Sequence, residues 1–258
     1  MDSLSKNQIK FIKSLHQKKQ RQEHQLFLIE GEKLVNEVLR DKPEIIEWLI
    51  IKKNYAFEKE ISKPVYFIDD AVFASISTLS TPPPIMAVCK FLPYSTDLSI
   101  NFNSTFSFYL DNINDPGNLG TIIRICDWFG ISKIYCSPNT VELYNPKTIQ
   151  ASKGSFLRVN VIYIPFEKLN LSPQTIVYAA DTKGTNIYQT SLKSGLIILG
   201  NEANGISPSL KNYVHQYLTI PKHPNSKAES LNVAMSAAII ASEFSRPFLL
   251  SKDHYCTI

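Results

Sequence analysis

No two cysteines in the sequence stand in a CxxC spacing: Cys89, Cys126, Cys136 and Cys256 are widely separated. They offer neither a zinc site nor a disulfide framework, and they read as reduced intracellular thiols. No apolar run reaches membrane-spanning length, so no membrane association is expected. The first residues include Asp2, Ser3 and Lys6 without an apolar signal segment, which makes a soluble cytoplasmic protein the expectation. No GxGxxG fingerprint is present, so a nicotinamide-dinucleotide site has no support. His and Cys residues form no cluster with metal-ligand spacing, and no metal is expected. Internal repeats and low-complexity tracts are absent too.

What remains is an ordinary globular composition. The chain has 258 residues, of which 44% are hydrophobic, enough for two modest domains with buried cores. The net charge of +4 permits nucleic-acid binding without demanding it. The positive charge is concentrated near the start: residues 1–24 hold Lys6, Lys10, Lys13, Lys18, Lys19 and Arg21 against Asp2 and Glu23, six cations to two acids. The bland reading of that run is a solvated helix face; the sharper one is a set of phosphate contacts.

The hydrophobic pattern divides the chain. Ile9, Ile12 and Leu15 recur at helical spacing, Leu26–Ile29 reads as a strand turning at Gly31 into a helix, and short strands are expected at 45–51, 65–69 and 85–91. A helix started by an Asp is expected between the last two. The polar stretch around Pro93, rich in Ser, Thr and Asn, suits a linker. The division is therefore a small α/β domain over 1–92, a linker over 93–105 and a second domain over 106–258. In the second, strands at 106–110, 133–136, 158–162, 176–180, 196–200 and 217–220 alternate with helices after Pro116, near Asn145–Ser152 and over Ser230–Phe244. That alternation predicts an α/β fold with a mostly parallel sheet.

Three segments carry chemistry. In "YLDNINDPGNLGTIIRICDWFG" (109–130) a strand ends in a polar, Gly- and Pro-bearing loop that enters a helix. Loops at the carboxyl ends of parallel strands are where ligands bind. Asn118 and Arg124 stand six apart there, and Arg124 brings a planar fork of donors suited to phosphate. In "LIILGNEANGIS" (196–207) an apolar strand meets Gly200, Asn201, Glu202 and Gly205; glycine there lets a ligand approach the backbone, or serves only a tight turn. In "YLTIPKHPNSKAESLNVAMSAAIIASEF" (217–244) a strand and a polar loop precede a helix lined with Ala234, Ser236, Ala237, Ala238 and Ala241. Such small residues let another backbone pack closely.

Taken together, N-x5-R, GNE-x2-G and SLNV in this order resemble the SpoU (TrmH-type) RNA ribose methyltransferases over the whole second domain. "IKFIKSLHQKKQRQEHQLFLIEGEKLVNEVL" more briefly resembles that family's accessory RNA-binding domain of ribosomal-protein L30e type. The resemblance implies a SPOUT fold with a deep trefoil knot, S-adenosylmethionine as cofactor, a structured RNA as substrate and a homodimer formed through the C-terminal domain. It makes Arg124 the residue that activates the ribose hydroxyl and Asn118 its neighbour. Glu202, Ser230 and Asn232 become further catalytic-site residues. Gly200, Ile220 and Leu231 become cofactor-binding positions, with Ala180–Thr182 as a lesser contributor. One departure is visible. The family pattern has PMxG after the isoleucine of the third motif, whereas "IPKHPNSKAESLN" lacks the glycine and is about two residues longer.

The implied reaction is displacement at a sulfonium methyl by a ribose 2′-oxygen. Arg124 would either lose a proton beside substrate phosphate or stabilise the developing alkoxide; the sequence leaves both open. Ribosomal RNA is the expected target, with tRNA ribose methylation and a catalytically inert RNA-binding protein on the same fold as alternatives.

Overall fold

The computed structural model describes residues 3–57, 61–93 and 106–250. In chain order its elements are α1 (Lys6–Ser14), α2 (Lys18–His24), β1 (Leu26–Glu30), α3 (Glu32–Asp41), β2 (Ile46–Lys52), β3 (Val65–Ile68), α4 (Asp70–Ile76) and β4 (Ile85–Lys90). There follow β5 (Phe106–Leu110), α5 (Pro116–Trp128), β6 (Lys133–Cys136), α6 (Pro146–Ser152), β7 (Asn160–Tyr163), β8 (Ile176–Asn186), β9 (Gly195–Leu199), β10 (Gln216–Thr219) and α7 (Val233–Leu249). The expected linker lies outside the described residues apart from Pro93, and so does Cys256.

Two compact units result, one holding the chain to Pro93 plus Glu142–Leu157, the other holding the stretch up to Val141 and the chain from Arg158. In the first unit the sheet order is β1-β4-β2-β3, with only β2 and β3 parallel. Helix α1 starts where Ser5 and Gln8 exchange side-chain-to-backbone hydrogen bonds, the reciprocal pattern of a capping box. Its periodic residues Ile12 and Leu15 are fully buried against Leu28, Ile50 and Val88 of the sheet and Phe73 of α4. The opposite stripe, Lys6, Lys10 and Lys13, is exposed at i, i+4, i+7 spacing.

Arg21 departs from the expectation of a phosphate-facing cation. It is 2% exposed, pairs with Glu142 and donates from Nη1 to the Leu15 carbonyl at 2.8 Å. A guanidinium this deep needs such partners, because an unpaired buried charge is costly. The segment Glu142–Leu157, in sequence part of the second domain, thus packs on the first unit. Tyr144 stacks on Phe91 at 3.7 Å and accepts from the Leu92 amide at 2.8 Å, and Phe156 meets Phe27 edge-on.

The second unit is a six-stranded sheet of order β10-β8-β9-β5-β6-β7, and every pair in it is parallel. Its central strands are apolar on both sides, as expected for a parallel sheet: β9 is buried at all five residues and β5 at four of five. Strand β5 is the switch point, because the chain leaves it toward β6 on one side and returns beside it as β9 on the other.

Several boundaries differ from expectation by one or two residues, α7 ends at Leu249 and not at Phe244, and two differences bear on the site. β8 runs to Asn186 and not to 180, since its polar second half continues to pair with β10 after a register jump from Ala179 to Thr185. Helix α7 begins at Val233, after Ser230 and Leu231, because Asn232 caps it by accepting from the amides of Ala234 and Met235.

Candidate active site

The carboxyl ends of β5, β8, β9 and β10 lie on one edge of the parallel sheet, so the three motif loops emerge together. The first loop enters α5 with Pro116 at its start and Asp115 as cap, whose carboxylate accepts from the Asn118 amide at 2.7 Å. The second forms a tight hairpin. Asn201 and Gly205 exchange two backbone hydrogen bonds of 2.9 Å, and Gly205 takes a positive φ of 67°. At Gly200 a Cβ would stand 2.4 Å from the Gly205 carbonyl carbon, so no larger residue fits. The turn therefore needs its glycines for itself, while its tip, Glu202 to Asn204, is exposed.

Hydrogen bonds join the three loops. Asn118 donates from Nδ2 to Glu202 Oε1 at 2.8 Å, and Asn232 donates from Nδ2 to Asn118 Oδ1 at 2.9 Å. Asn118, Glu202 and Asn232 are thus brought into one chain of polar groups. Arg124 is not part of it. Six residues along α5 from Asn118, it sits about 120° around the axis and about 9 Å along it. It is exposed and makes no hydrogen bond or ion pair among the described residues.

Ser230 and Leu231 are exposed just ahead of the α7 cap, and Leu231 has 51% of its surface open. Ile220 is half-buried at the end of β10. Ala180–Thr182 fall in the bulge of β8 on the same edge, where the Thr219 hydroxyl donates to the Thr182 carbonyl at 3.2 Å. The long third loop closes on itself: Lys222 Nζ donates to the Ala228 carbonyl at 3.2 Å and the Ser226 amide to the His223 carbonyl at 2.8 Å.

Asp111, Asn112, Asn201 and Ser207 form a second hydrogen-bonded group on the loops after β5 and β9, and sequence reasoning gave them no role. Their polar types on the loops after two apolar strands were the available signal. The thiols of Cys126 and Cys136 are poor nucleophiles, since burial pushes both far above the usual range. Among the described residues no group of three His, Cys, Asp or Glu could hold a metal ion. No helix among them is long and apolar enough to cross a membrane.

Comparison with known proteins gives this architecture relatives. Residues 105–242 match the SpoU rRNA Methylase family, and residues 6–87 match the MRM3-like substrate binding domain. The chain is 30% identical over 254 residues to the 23S rRNA (guanosine(2553)-2'-O)-methyltransferase RlmP of Bacillus subtilis, covering 93% of this chain and 96% of that protein. A putative RNA methyltransferase of the TrmH family from Porphyromonas gingivalis superposes with a TM-score of 0.79 at 33% identity, over 95% of this chain and 99% of the other. An AdoMet-bound rRNA methyltransferase from Sinorhizobium meliloti superposes with a TM-score of 0.83 at 26% identity, over 97% and 98%. With its motif loops on one parallel edge and its sequence matched along almost its whole length, the chain belongs to the SpoU rRNA methylase family.

Proposed function

We propose that the protein transfers a methyl group from S-adenosylmethionine to the 2′-hydroxyl of a ribose in ribosomal RNA. The observation that carries this reading is the hydrogen-bonded trio Asn118, Glu202 and Asn232 at the carboxyl edge of the sheet, beside its switch point. The Bacillus relative is named for 2′-O-methylation of 23S rRNA, which favours ribosomal RNA over tRNA.

The loops suit the cofactor. Ile220 and Leu231 offer apolar surface on polar loops, a match for a molecule with an adenine ring and an amino-acid end, while Gly200, whose Cα face is closed by Gly205, would contribute its peptide groups only. In this reading Gly200, Ile220 and Leu231 hold it, with help from Ala180–Thr182. Bound there, S-adenosylmethionine supplies an electrophilic methyl group. Asn118, Glu202, Ser230 and Asn232 shape the site, and Arg124 offers its donor fork to the ribose oxygen and adjacent phosphate as charge develops. Holding the ribose in line supplies several kcal/mol, roughly, of the barrier reduction. The knotted threading of the C-terminal segment belongs to the same reading.

No aromatic residue occurs in "NDPGNLG", "GNEANG" or "AESLN", whereas base methylation calls for stacking on an extruded base. Ribose methylation removes the hydroxyl that attacks the neighbouring phosphate. RNA treated with the enzyme should therefore resist alkaline cleavage at one linkage, and that linkage should lose its protection in a deletion strain. Cleavage at every linkage, with mass spectrometry placing the methyl on a base, would rule the assignment out.

Residues 1–92 are the RNA-binding domain in this reading, supported by their match to a substrate-binding domain and by the exposed stripe Lys6, Lys10, Lys13 with Lys18 and Lys19 beyond it. Replacing Lys18 and Lys19 by Ala should lower the slope of log affinity against log salt by about 0.7–0.9 for each phosphate no longer neutralised. An unchanged slope and affinity means that these lysines only face water.

The active form is a homodimer through the second unit. Helices α5 and α7 pack side by side and leave Trp128 75% and Met235 56% exposed, apolar surface that a second copy would cover. The small residues Ala234, Ala237 and Ala241 are buried within the unit and are not part of that surface. Light scattering should give twice the protomer mass; a monomer at micromolar concentration rejects the dimer.

A further inference from the structure

Asp111 is 3% exposed, although it is an acid on the loop after β5. Its two oxygens are both engaged: Oδ2 accepts from the Ser207 amide at 2.7 Å, and Oδ1 accepts from Asn112 Nδ2 at 2.8 Å. Its own amide donates to the Leu199 carbonyl at 2.9 Å, prolonging the β5–β9 pairing by one rung. Asn112 follows with a φ of 55°, a left-handed corner that Asn tolerates. At this corner the Asn112 carbonyl accepts from Asn201 Nδ2 at 2.7 Å, and its amide donates to Ser137 Oγ at 2.9 Å. Asn112 Nδ2 also reaches Ser207 Oγ at 3.0 Å.

These bonds reach the hairpin at two places only, Asn201 before its tip and Ser207 after it. The hairpin's internal bonds close the turn but do not orient it. At the tip the turn meets α5 through the Asn118–Glu202 bond; at its base it is held from outside by the Asp111–Asn112 corner, and Glu202 follows Asn201 directly. We propose that Asp111, acting through Ser207 and Asn112, is a positioning residue that fixes the 200–207 turn and so places Glu202 against Asn118 and Gly200 against the cofactor. The inference rests on the reading that S-adenosylmethionine binds at this turn. A displacement of the turn by 1 Å is enough to lower turnover about 100-fold.

Three variants test it, with calorimetric titration of S-adenosylmethionine and steady-state kinetics on RNA. Asp111→Ala removes both acceptors; about a tenfold weaker cofactor affinity and a fall in kcat of about 30- to 100-fold are expected, with RNA affinity within about twofold of the parent. Asp111→Asn keeps an acceptor for the Ser207 amide, and the Asn112 amide can turn over to face it, so this variant should recover most of the loss. Asn112→Gly keeps the left-handed corner, which glycine adopts freely, but drops the links to Asp111 and Ser207. It leaves Asp111 Oδ1 without that donor, so it should melt a few degrees below the parent, yet stay folded under assay conditions and bind the cofactor about threefold to tenfold more weakly, by loss of one clamp point. It carries the test if Asp111→Ala does not fold. Folded Asp111→Ala and Asn112→Gly proteins with parental cofactor affinity and kcat overturn the proposal. So does a loss of kcat that only tracks the folded fraction, or an Asp111→Asn variant as impaired as the Ala variant. A parent protein that binds no S-adenosylmethionine refutes the underlying reading instead.

Discussion

Replacing Arg124 by Ala should lower methyl transfer at least about 100-fold, the usual effect of deleting one preorganised donor to a developing oxyanion. Folding and cofactor binding should hardly change. The side chain is exposed in the third turn of α5 and has no partner among the described residues, so nothing buried is abandoned. Alanine is the best helix former, and a surface change of this kind stays within about 0.5 kcal/mol. Calorimetry should give an S-adenosylmethionine affinity within about twofold of the parent. Arg124→Lys should restore little, because a single ammonium cannot reproduce a planar fork. Purified Arg124→Ala protein with near-parental turnover removes the residue from the mechanism. The geometry sharpens the test. Arg124 lies off the Asn118–Glu202–Asn232 chain, so its contribution is separable from the positioning that the chain provides.

Much of the second unit was legible because its information is local. The central strands of the parallel sheet are short apolar runs, and the polar loops after β5 and β9 marked its carboxyl edge as the candidate site. Helix α1 was equally plain from Ile9, Ile12 and Leu15. What stayed hidden depends on partners distant in sequence. Arg21 follows a run of exposed cations and differs from Lys18 and Lys19 in being buried on the Leu15 carbonyl and on Glu142, 121 residues away. The continuation of β8 past Ala180 depends on β10, and its polar residues there give no strand signal. Asp111 looked like one more loop acid; only its burial against Ser207 distinguishes it. The offset between Asn118 and Arg124, by contrast, was available from their spacing, since an i, i+6 pair on a helix does not share a face.

Asn232 gives the second large effect, because its side chain does two separable things. Oδ1 accepts from the amides of Ala234 at 2.9 Å and Met235 at 3.3 Å, which caps α7, while Nδ2 donates to Asn118 Oδ1. Asn232→Ala loses both functions. The missing cap costs about 1 kcal/mol, or a melting point lower by about 2–4 °C. Asn232→Asp keeps the cap, since Asp is as good there as Asn and its charge suits a helix N-terminus. It has no donor, however, and sets a carboxylate against the Asn118 carbonyl oxygen. Asn118 is then drawn to turn its amide toward the introduced carboxylate and release Glu202. Asn232→Asp should therefore melt within about 2 °C of the parent yet turn over about 10- to 100-fold more slowly, as a misplaced site does. Thermal melts and single-turnover methyl transfer on the two variants decide the matter. If Asn232→Asp keeps parental turnover while Asn232→Ala loses it, Asn232 acts only as a cap, and the chain through Asn118 to Glu202 has no part in the chemistry.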